Sequence, residues 1–114
     1  MTTFDIGRQA EAAAASFLER KGCFLVAQNW RTRWCEIDII AQRGQTLYFC
    51  EVKYRRSGRQ GTGLDYITPK KLRQMHFAAE MWIANAAWQG QCSLCAIEVS
   101  GPAFRVTGVA KDVF

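Results

Sequence analysis

The stretch that decides the fold is "EIDIIAQRGQTLYFCEVKYRR", residues 36–56. Two largely apolar segments, "EIDIIAQ" and "TLYFCEVKY", lie on either side of the short turn "RGQ", which carries Gly44. A glycine in a short polar turn between two strand-like segments is typical of an antiparallel β-hairpin. The sequence therefore predicts that the two segments pair, with the turn at residues 43–45.

Four charged side chains interrupt the apolar pattern of this hairpin: Glu36, Asp38, Glu51 and Lys53. Because side chains alternate along a strand, we expect Glu36, Asp38 and Ile40 on one face and Ile37 and Ile39 on the other. By the same rule, Glu51 and Lys53 share a face of the next strand. The register set by the turn brings Asp38 level with Glu51 and Glu36 level with Lys53. The charges are therefore expected to cluster at the end of the hairpin away from its turn.

The charge cluster has two interpretations. Edge strands often carry charges that form surface salt bridges and block aggregation. Alternatively, the cluster is a site: two carboxylates about 4 Å apart repel by about 4 kcal/mol at an effective dielectric constant of 20, and a cation offsets this repulsion. Carboxylate oxygens suit Mg²⁺ or Mn²⁺. On this interpretation Asp38 and Glu51 hold the metal ion, and Lys53 neutralises charge on a phosphate group.

The segment from residue 53 to residue 73 is strongly basic. It contains seven Lys or Arg residues against one acid, Asp65: Lys53, Arg55, Arg56, Arg59, Lys70, Lys71 and Arg73. Such a patch is typical of a surface that binds a polyanion, although charge alone is equally compatible with a solvated basic face. All of these residues except Lys53 are the candidate contacts to a nucleic-acid backbone.

The flanking segments complete the predicted architecture. A first helix, capped by Thr3 or Asp5, is expected to run to about Lys21 and stop at Gly22. Glu11 lies at the edge of its apolar stripe, about 20° from Leu18 on a helical wheel. "CFLVAQN" is a strand, Thr68 followed by proline begins a second helix, and "CSLCAIEVS" and "AFRVTGVA" are two further strands. The order α-β-β-β-α-β-β predicts an α/β fold in one domain, residues 1–114, with a central mixed β-sheet flanked by helices.

Composition favours an intracellular globular protein. The chain has 114 residues, of which 49% are hydrophobic and 22% charged, with a net charge of +5. No apolar run approaches the roughly 20 residues that a membrane-spanning helix needs, and the first residues do not resemble a secretory signal. Five cysteines, an odd number scattered through apolar segments, favour reduced thiols. We therefore expect a cytoplasmic protein that does not bind membranes.

Several stretches resemble known families. The pair "EID…EVK" is similar to the mark of the metal-dependent PD-(D/E)xK nuclease superfamily, an Asp on one strand and E-x-K on the next. The chain as a whole resembles the YraN-like uncharacterised family, which is related to archaeal Holliday-junction resolvases. The matching stretches are "GRQAEAAAASFL" (7–18), "NWRTRWCEIDIIA" (29–41), "LYFCEVKYR" (47–55) and "GLDYITPKKLRQM" (63–75).

This resemblance implies a restriction-endonuclease-like fold and an active site. Asp38, Glu51 and Lys53 would be its catalytic core. Glu11 would complete the site as a further acid, binding Mg²⁺ or Mn²⁺ with Asp38 and Glu51. Glu36, which the hairpin pattern places in the charge cluster, is the accessory candidate. The implied activity is hydrolysis of DNA, with branched or junction DNA as the candidate substrate. By analogy with resolvases, it also implies a homodimer.

Two other functions are compatible with the sequence. A nucleic-acid-binding protein that keeps the fold and the basic surface would need no catalysis. A protein–protein adaptor would use exposed tryptophans, for which Trp30, Trp34, Trp82 and Trp88 are the candidates, although tryptophans more often pack in the core or at its edge.

Overall fold

A computed structural model of the chain describes residues 1–56 and 67–111. Its elements follow the predicted order α-β-β-β-α-β-β. They are α1 (Thr3–Arg20), β1 (Phe24–Arg31), β2 (Glu36–Arg43), β3 (Thr46–Arg55), α2 (Pro69–Ala86), β4 (Gln91–Ser100) and β5 (Arg105–Lys111).

The five strands form one mixed sheet in the order β1-β2-β3-β4-β5. Strands β3 and β4 are parallel, and the other three neighbouring pairs are antiparallel. A tight turn cannot join parallel strands, so the chain must cross over between β3 and β4. Helix α2 lies in that crossover and packs back onto the sheet.

The two helices cover opposite faces of the sheet. Ala14 and Leu18 of α1 pack with a cluster that includes Ile39 of β2. Met75 and Ala79 of α2 pack with a second cluster, which includes Ile40, the residue that follows Ile39 on β2. Because consecutive strand residues point to opposite faces, the two clusters are separate cores on either side of the sheet. The arrangement is α/β and consistent with a restriction-endonuclease-like fold, which confirms the predicted fold class.

A capping box starts α1 one residue earlier than the sequence suggested. The Thr2 hydroxyl accepts a hydrogen bond from the backbone N–H of Asp5 at 3.1 Å, and the Asp5 carboxylate accepts one from the N–H of Thr2 at 3.2 Å. Thr2, not Thr3 or Asp5, is therefore the N-cap residue, and Asp5 is the third helical residue, which completes the capping box. None of the helices in the described part of the chain has the length and hydropathy needed to cross a membrane.

The hairpin has the predicted turn and register. Arg43 lies opposite Thr46, and Ile39 lies opposite Cys50. Gly44 has a positive φ of 60°, a conformation that glycine adopts at little steric cost. Continuing this register places Asp38 level with Glu51, as predicted.

Beyond that pair, β2 departs from the predicted alternation. Ile37 and Ile40 both pack on the α2 side, whereas Ile39 packs on the α1 side. The expectation that Ile37 would share a face with Ile39, opposite the charged residues, is therefore wrong. The break occurs where Asn29 of β1, which has a φ of 52°, lies level with Asp38 between two β1–β2 pairs. A left-handed residue interrupts the pleat at this level of the sheet.

Candidate active site

Asp38 lies in a seam between β2 and β3, where the two strands cease to pair. The last pair joins Ile39 to Cys50. Beyond it, the Oδ2 atom of Asp38 accepts a hydrogen bond from the backbone N–H of Val52 at 2.8 Å. A backbone N–H past the end of a ladder needs another acceptor, and the Asp38 carboxylate supplies it. This bond directs the carboxylate toward β3.

Glu51 reaches the same place from β3. Its Oε1 atom lies 2.8 Å from Nζ of Lys71, in the first turn of α2. The side chain of Glu51 is 20% exposed and that of Lys71 is 33% exposed, so the pair lies at the surface end of the seam. Lys71 was predicted to contact a nucleic-acid backbone, and its observed position is beside the candidate metal ligand Glu51.

The electrostatics of the seam centre on Asp38. Burial raises the pKa of its carboxyl group from 3.8 to about 7, and the neighbouring carboxylate of Glu51 is the next largest cause. Glu11 and Glu36 raise this pKa further, while the hydrogen bond from Val52 opposes the shift. Four carboxyl groups from three elements thus create a negative potential that favours a cation.

Glu11 approaches this group from α1. Burial raises its pKa, a hydrogen bond from the Asn29 side chain opposes the shift, and Glu36 and Glu51 raise it again. Within residues 1–56 and 67–111, no three or more His, Cys, Asp or Glu side chains gather closely enough to hold a metal ion. The structure therefore does not bring Glu11 together with Asp38 and Glu51 as a third ligand. It places Glu11 where its charge adds to the local negative potential.

Lys53 and Glu36 occupy more open positions. Lys53 is exposed on β3, two residues beyond Glu51. Glu36 lies 3.4 Å from the Arg31 guanidinium, and both side chains are more than half exposed. Exposed ion pairs of this kind contribute at most about 1 kcal/mol to folding stability. Glu36 can therefore leave Arg31 at little cost.

A groove of about 730 Å³ borders the seam, between the β1–β2 connection and the first half of α2. Its lining includes four cations, two carboxylates and two aromatic rings: Arg31, Lys70, Lys71, Arg73, Glu36, Glu51, Trp34 and Phe77. Two of the cations are paired with the two carboxylates. The exposed side chains of Lys70 and Arg73 leave the groove with a net positive charge. These two predicted nucleic-acid contacts thus lie in the groove beside Glu51.

Arg55 is held elsewhere. Its Nε atom lies 2.9 Å from Oε2 of Glu98, and the two side chains are only 15% and 4% exposed. The contact is a close ion pair whose N–H direction is not that of a hydrogen bond. The hydroxyl of Thr107 donates to the other Glu98 oxygen at 2.7 Å and lies 2.8 Å from the Ser100 hydroxyl. This buried polar network does not favour the predicted role of Arg55 at a DNA backbone.

Two predicted nucleic-acid contacts remain, Arg56 and Arg59. Arg56 is exposed immediately after β3. Arg59 lies outside the described residues.

Sequence reasoning missed Asn29 in this region, and it named Trp34 only as one of four candidates for a protein–protein contact. Asn29 breaks the pleat and hydrogen-bonds Glu11. Asn is one of the residues that tolerate a left-handed conformation, but nothing local marks this position as one. Trp34 is 68% exposed, so the expectation that the tryptophans pack in or beside the core is wrong for it. It is confirmed for Trp30, Trp82 and Trp88, which pack on the α2-side core. The signal for Trp34 was its place in "RTRWC", directly after Arg33 and close to Arg31.

The residues of the seam fit Mg²⁺ or Mn²⁺ in donor type and number. Mg²⁺ is usually bound through one or two carboxylates, with waters and substrate phosphates completing its shell. Asp38 and Glu51, level on adjacent strands, provide two carboxylates whose mutual repulsion a divalent cation would relieve. A third protein ligand is not required.

The fold and the seam define a class of protein: an α/β domain of restriction-endonuclease-like architecture, with carboxylates from adjacent strands beside a basic groove. The chain belongs to the uncharacterised protein family UPF0102, whose sequence profile matches residues 10–106. This confirms the resemblance to the YraN-like family that the sequence indicated. The matched range includes every predicted catalytic residue.

Curated relatives carry the same family name. The UPF0102 protein of Chlorobium chlorochromatii is 40% identical over 99 residues, which are 87% of this chain and 77% of the relative. The UPF0102 protein of Neisseria gonorrhoeae is 36% identical over 96 residues, 83% of this chain and 84% of the relative. That of Renibacterium salmoninarum is 43% identical over 81 residues, 71% of this chain and 69% of the relative. These names assign a family and no activity.

Proposed function

We propose that this protein is a Mg²⁺- or Mn²⁺-dependent endonuclease that hydrolyses phosphodiester bonds in DNA. One observation carries the proposal: Asp38 and Glu51, from adjacent strands, come level in a seam, and Glu51 lines a groove with a net positive charge. The order Asp38…Glu51-Val52-Lys53 supports it, because that order resembles the PD-(D/E)xK nucleases.

The side chains have distinct roles in this proposal. Asp38 and Glu51 would hold the metal ion, which when bound supplies a Lewis acid for a phosphate oxygen and lowers the pKa of water. Lys53, exposed two residues beyond Glu51, is suited to neutralise charge that develops on the phosphate. Lys71 balances Glu51 at 2.8 Å, and its ammonium group would turn toward the phosphate once another cation balances that carboxylate.

The groove accounts for the choice of substrate. Contacts from Lys and Arg to phosphates position a nucleic acid without reading its sequence. Lys70 and Arg73 provide such cations on the wall formed by α2. The preference for branched or junction DNA, the homodimer and the cytoplasmic location remain predictions that follow from the resemblance and the composition.

A cleavage assay tests the proposal. End-labelled linear duplex, flap and four-way junction DNA are incubated with the purified protein in Mn²⁺, Mg²⁺ or EDTA. We expect cleavage with metal and none in EDTA, because the carboxylates alone supply no Lewis acid. The Glu80→Gln variant should cleave as the wild type does, since Glu80 is an exposed acid on α2 that does not line the groove. Intact DNA of all three forms with both metals would contradict the proposal.

A second candidate, a nucleic-acid-binding protein without catalysis, is favoured by the ion pair between Lys71 and Glu51. That pair satisfies Glu51 without a metal ion. This candidate predicts steeply salt-dependent DNA binding that Arg73→Glu weakens and that Asp38→Asn leaves unchanged. It also predicts no cleavage in the assay above, which separates the two functions.

A further inference from the structure

We infer that the groove binds unpaired nucleotides, so that the DNA substrate has a single-stranded segment beside the scissile bond, with bases stacked on Trp34 and Phe77. This inference rests on the proposed nuclease function, for which it names the form of the substrate. Its basis is the combination of two exposed aromatic rings with cations in one groove.

Trp34 is an exposed ring on a hydrogen-bonded connection between β1 and β2. The Thr32 hydroxyl accepts hydrogen bonds from the backbone N–H groups of Trp34 and Cys35 at 3.1 and 3.2 Å. The backbone N–H of Thr32 donates to the carbonyl of Cys35 at 2.8 Å. These bonds hold the backbone of the connection, while the Trp34 side chain remains 68% exposed. With Phe77 in the same groove, the exposed Trp34 ring forms an apolar surface bordered by charged residues, which is typical of a binding site.

Phe77 contributes the second ring from α2. It is 49% exposed and lies on one helical stripe with Lys70, Arg73 and Gln74, at spacings of three, four and seven residues. All four line the groove. The buried stripe of α2 lies beside this one, so the cations and the ring on the outer stripe face the groove together.

Such a surface discriminates between paired and unpaired DNA. In a duplex the faces of the bases are stacked on one another and cannot reach an aromatic side chain. In a single strand every base has an accessible face, and grooves that bind single strands combine cations with aromatic rings. The guanidinium of Arg33, 5.4 Å from the centre of the Trp34 ring, adds a further cation beside this platform.

Fluorescence anisotropy in EDTA tests the inference without cleavage. The probes are a blunt duplex and the same duplex with a single-stranded tail. We expect the wild type to bind the tailed duplex more tightly. Trp34→Ala should weaken binding to the tailed duplex by about 5-fold to 150-fold, the range expected for one stacked base, and leave binding to the blunt duplex unchanged. Trp34→Phe should restore most of the difference, because stacking needs only a ring.

Phe24→Ala is the matched control. Phe24 is 70% exposed, like Trp34, but lies on β1 and does not line the groove. Equal wild-type affinities for the two probes would overturn the inference, as would an equal effect of Trp34→Ala and Phe24→Ala. A protein that cleaves blunt duplex as fast as tailed DNA would overturn the inference and leave the nuclease proposal standing. A binding preference without cleavage in Mn²⁺ would contradict the nuclease proposal instead.

Discussion

Replacement of Glu51 by glutamine is expected to lower metal-dependent DNA cleavage by about 1,000-fold, the upper end of the range for removing one electrostatic contributor to catalysis. Glutamine has the size of glutamate but lacks the charge that binds a divalent cation. It also releases Lys71, which now lies 2.8 Å from the carboxylate. Single-turnover rates with saturating protein measure the chemical step, and anisotropy in EDTA measures DNA binding separately. Binding should be retained, since the positive charge of the groove is not reduced.

Glu36→Gln is the control for the loss of cleavage expected in Glu51→Gln. Glu36 also lines the groove, but its side chain is 62% exposed and pairs with Arg31. We expect a reduction of less than about 10-fold, because a charge exposed to water interacts weakly with the reacting phosphate. If Glu51→Gln retained cleavage within that range, or if both variants lost it equally, the assignment of Glu51 as a metal ligand would be wrong. Identical purification of both variants also excludes a contaminating nuclease.

Asp38→Asn is expected to stabilise the metal-free protein at neutral and alkaline pH. The pKa of Asp38 is about 7 in the folded protein, against 3.8 as its ordinary value. Between these values the folded state holds a proton that the unfolded state has released, so stability falls as the pH rises from about 4 to about 7. The fall corresponds to a free energy of the order of 4 kcal/mol. Asparagine does not ionise, so this fall in stability should be absent from the variant. Its side-chain oxygen can still accept the hydrogen bond from the backbone N–H of Val52.

The pH profile distinguishes this effect from a general change in packing. Urea unfolding in EDTA should give wild type and Asp38→Asn similar stability near pH 4 and a higher stability for the variant at pH 8. Asp5→Asn should behave in the opposite way. Its hydrogen bonds with Thr2 lower the pKa of Asp5, so loss of the charge should destabilise the protein at pH 8. An Asp38→Asn variant that is less stable than wild type at pH 8 would show that the ionised carboxylate is a structural requirement.

The hairpin was predictable because its determinants are local. Gly44 marks the turn, and counting from the turn puts Asp38 level with Glu51. The start of α2 was similarly readable, since Thr68 accepts a hydrogen bond from Lys71 directly before the first turn of the helix. Local sequence therefore indicated both the element order and the register on which the candidate site depends.

The finer arrangement of the site depends on contacts that local patterns do not contain. The hydrogen bond from Val52 to Asp38 forms only because the strands stop pairing after Ile39. Arg55 could be placed in a basic surface from composition, but its ion pair with Glu98 requires the parallel alignment of β3 and β4. A charge count along the chain cannot distinguish a cation that faces solvent from one that is buried against a distant acid.

The exposed ring of Trp34 was missed for a related reason. Tryptophan is usually buried at least in part, and hydrophobic pattern predicts the same for all four tryptophans of this chain. The hydrogen bonds around Thr32 join residues two and three apart and hold the connection between β1 and β2, from which the Trp34 side chain is exposed. Exposure of a large ring is visible only once those strands are in register.

The central claim is that Asp38 and Glu51 together bind one divalent cation, and calorimetric titration with Mn²⁺ tests it most directly. We predict one Mn²⁺ bound per chain in the wild type, with binding abolished or strongly weakened in both Asp38→Asn and Glu51→Gln and retained in Glu80→Gln. Absence of Mn²⁺ binding to the wild type, or binding of equal affinity in either of the two carboxylate variants, would contradict the claim.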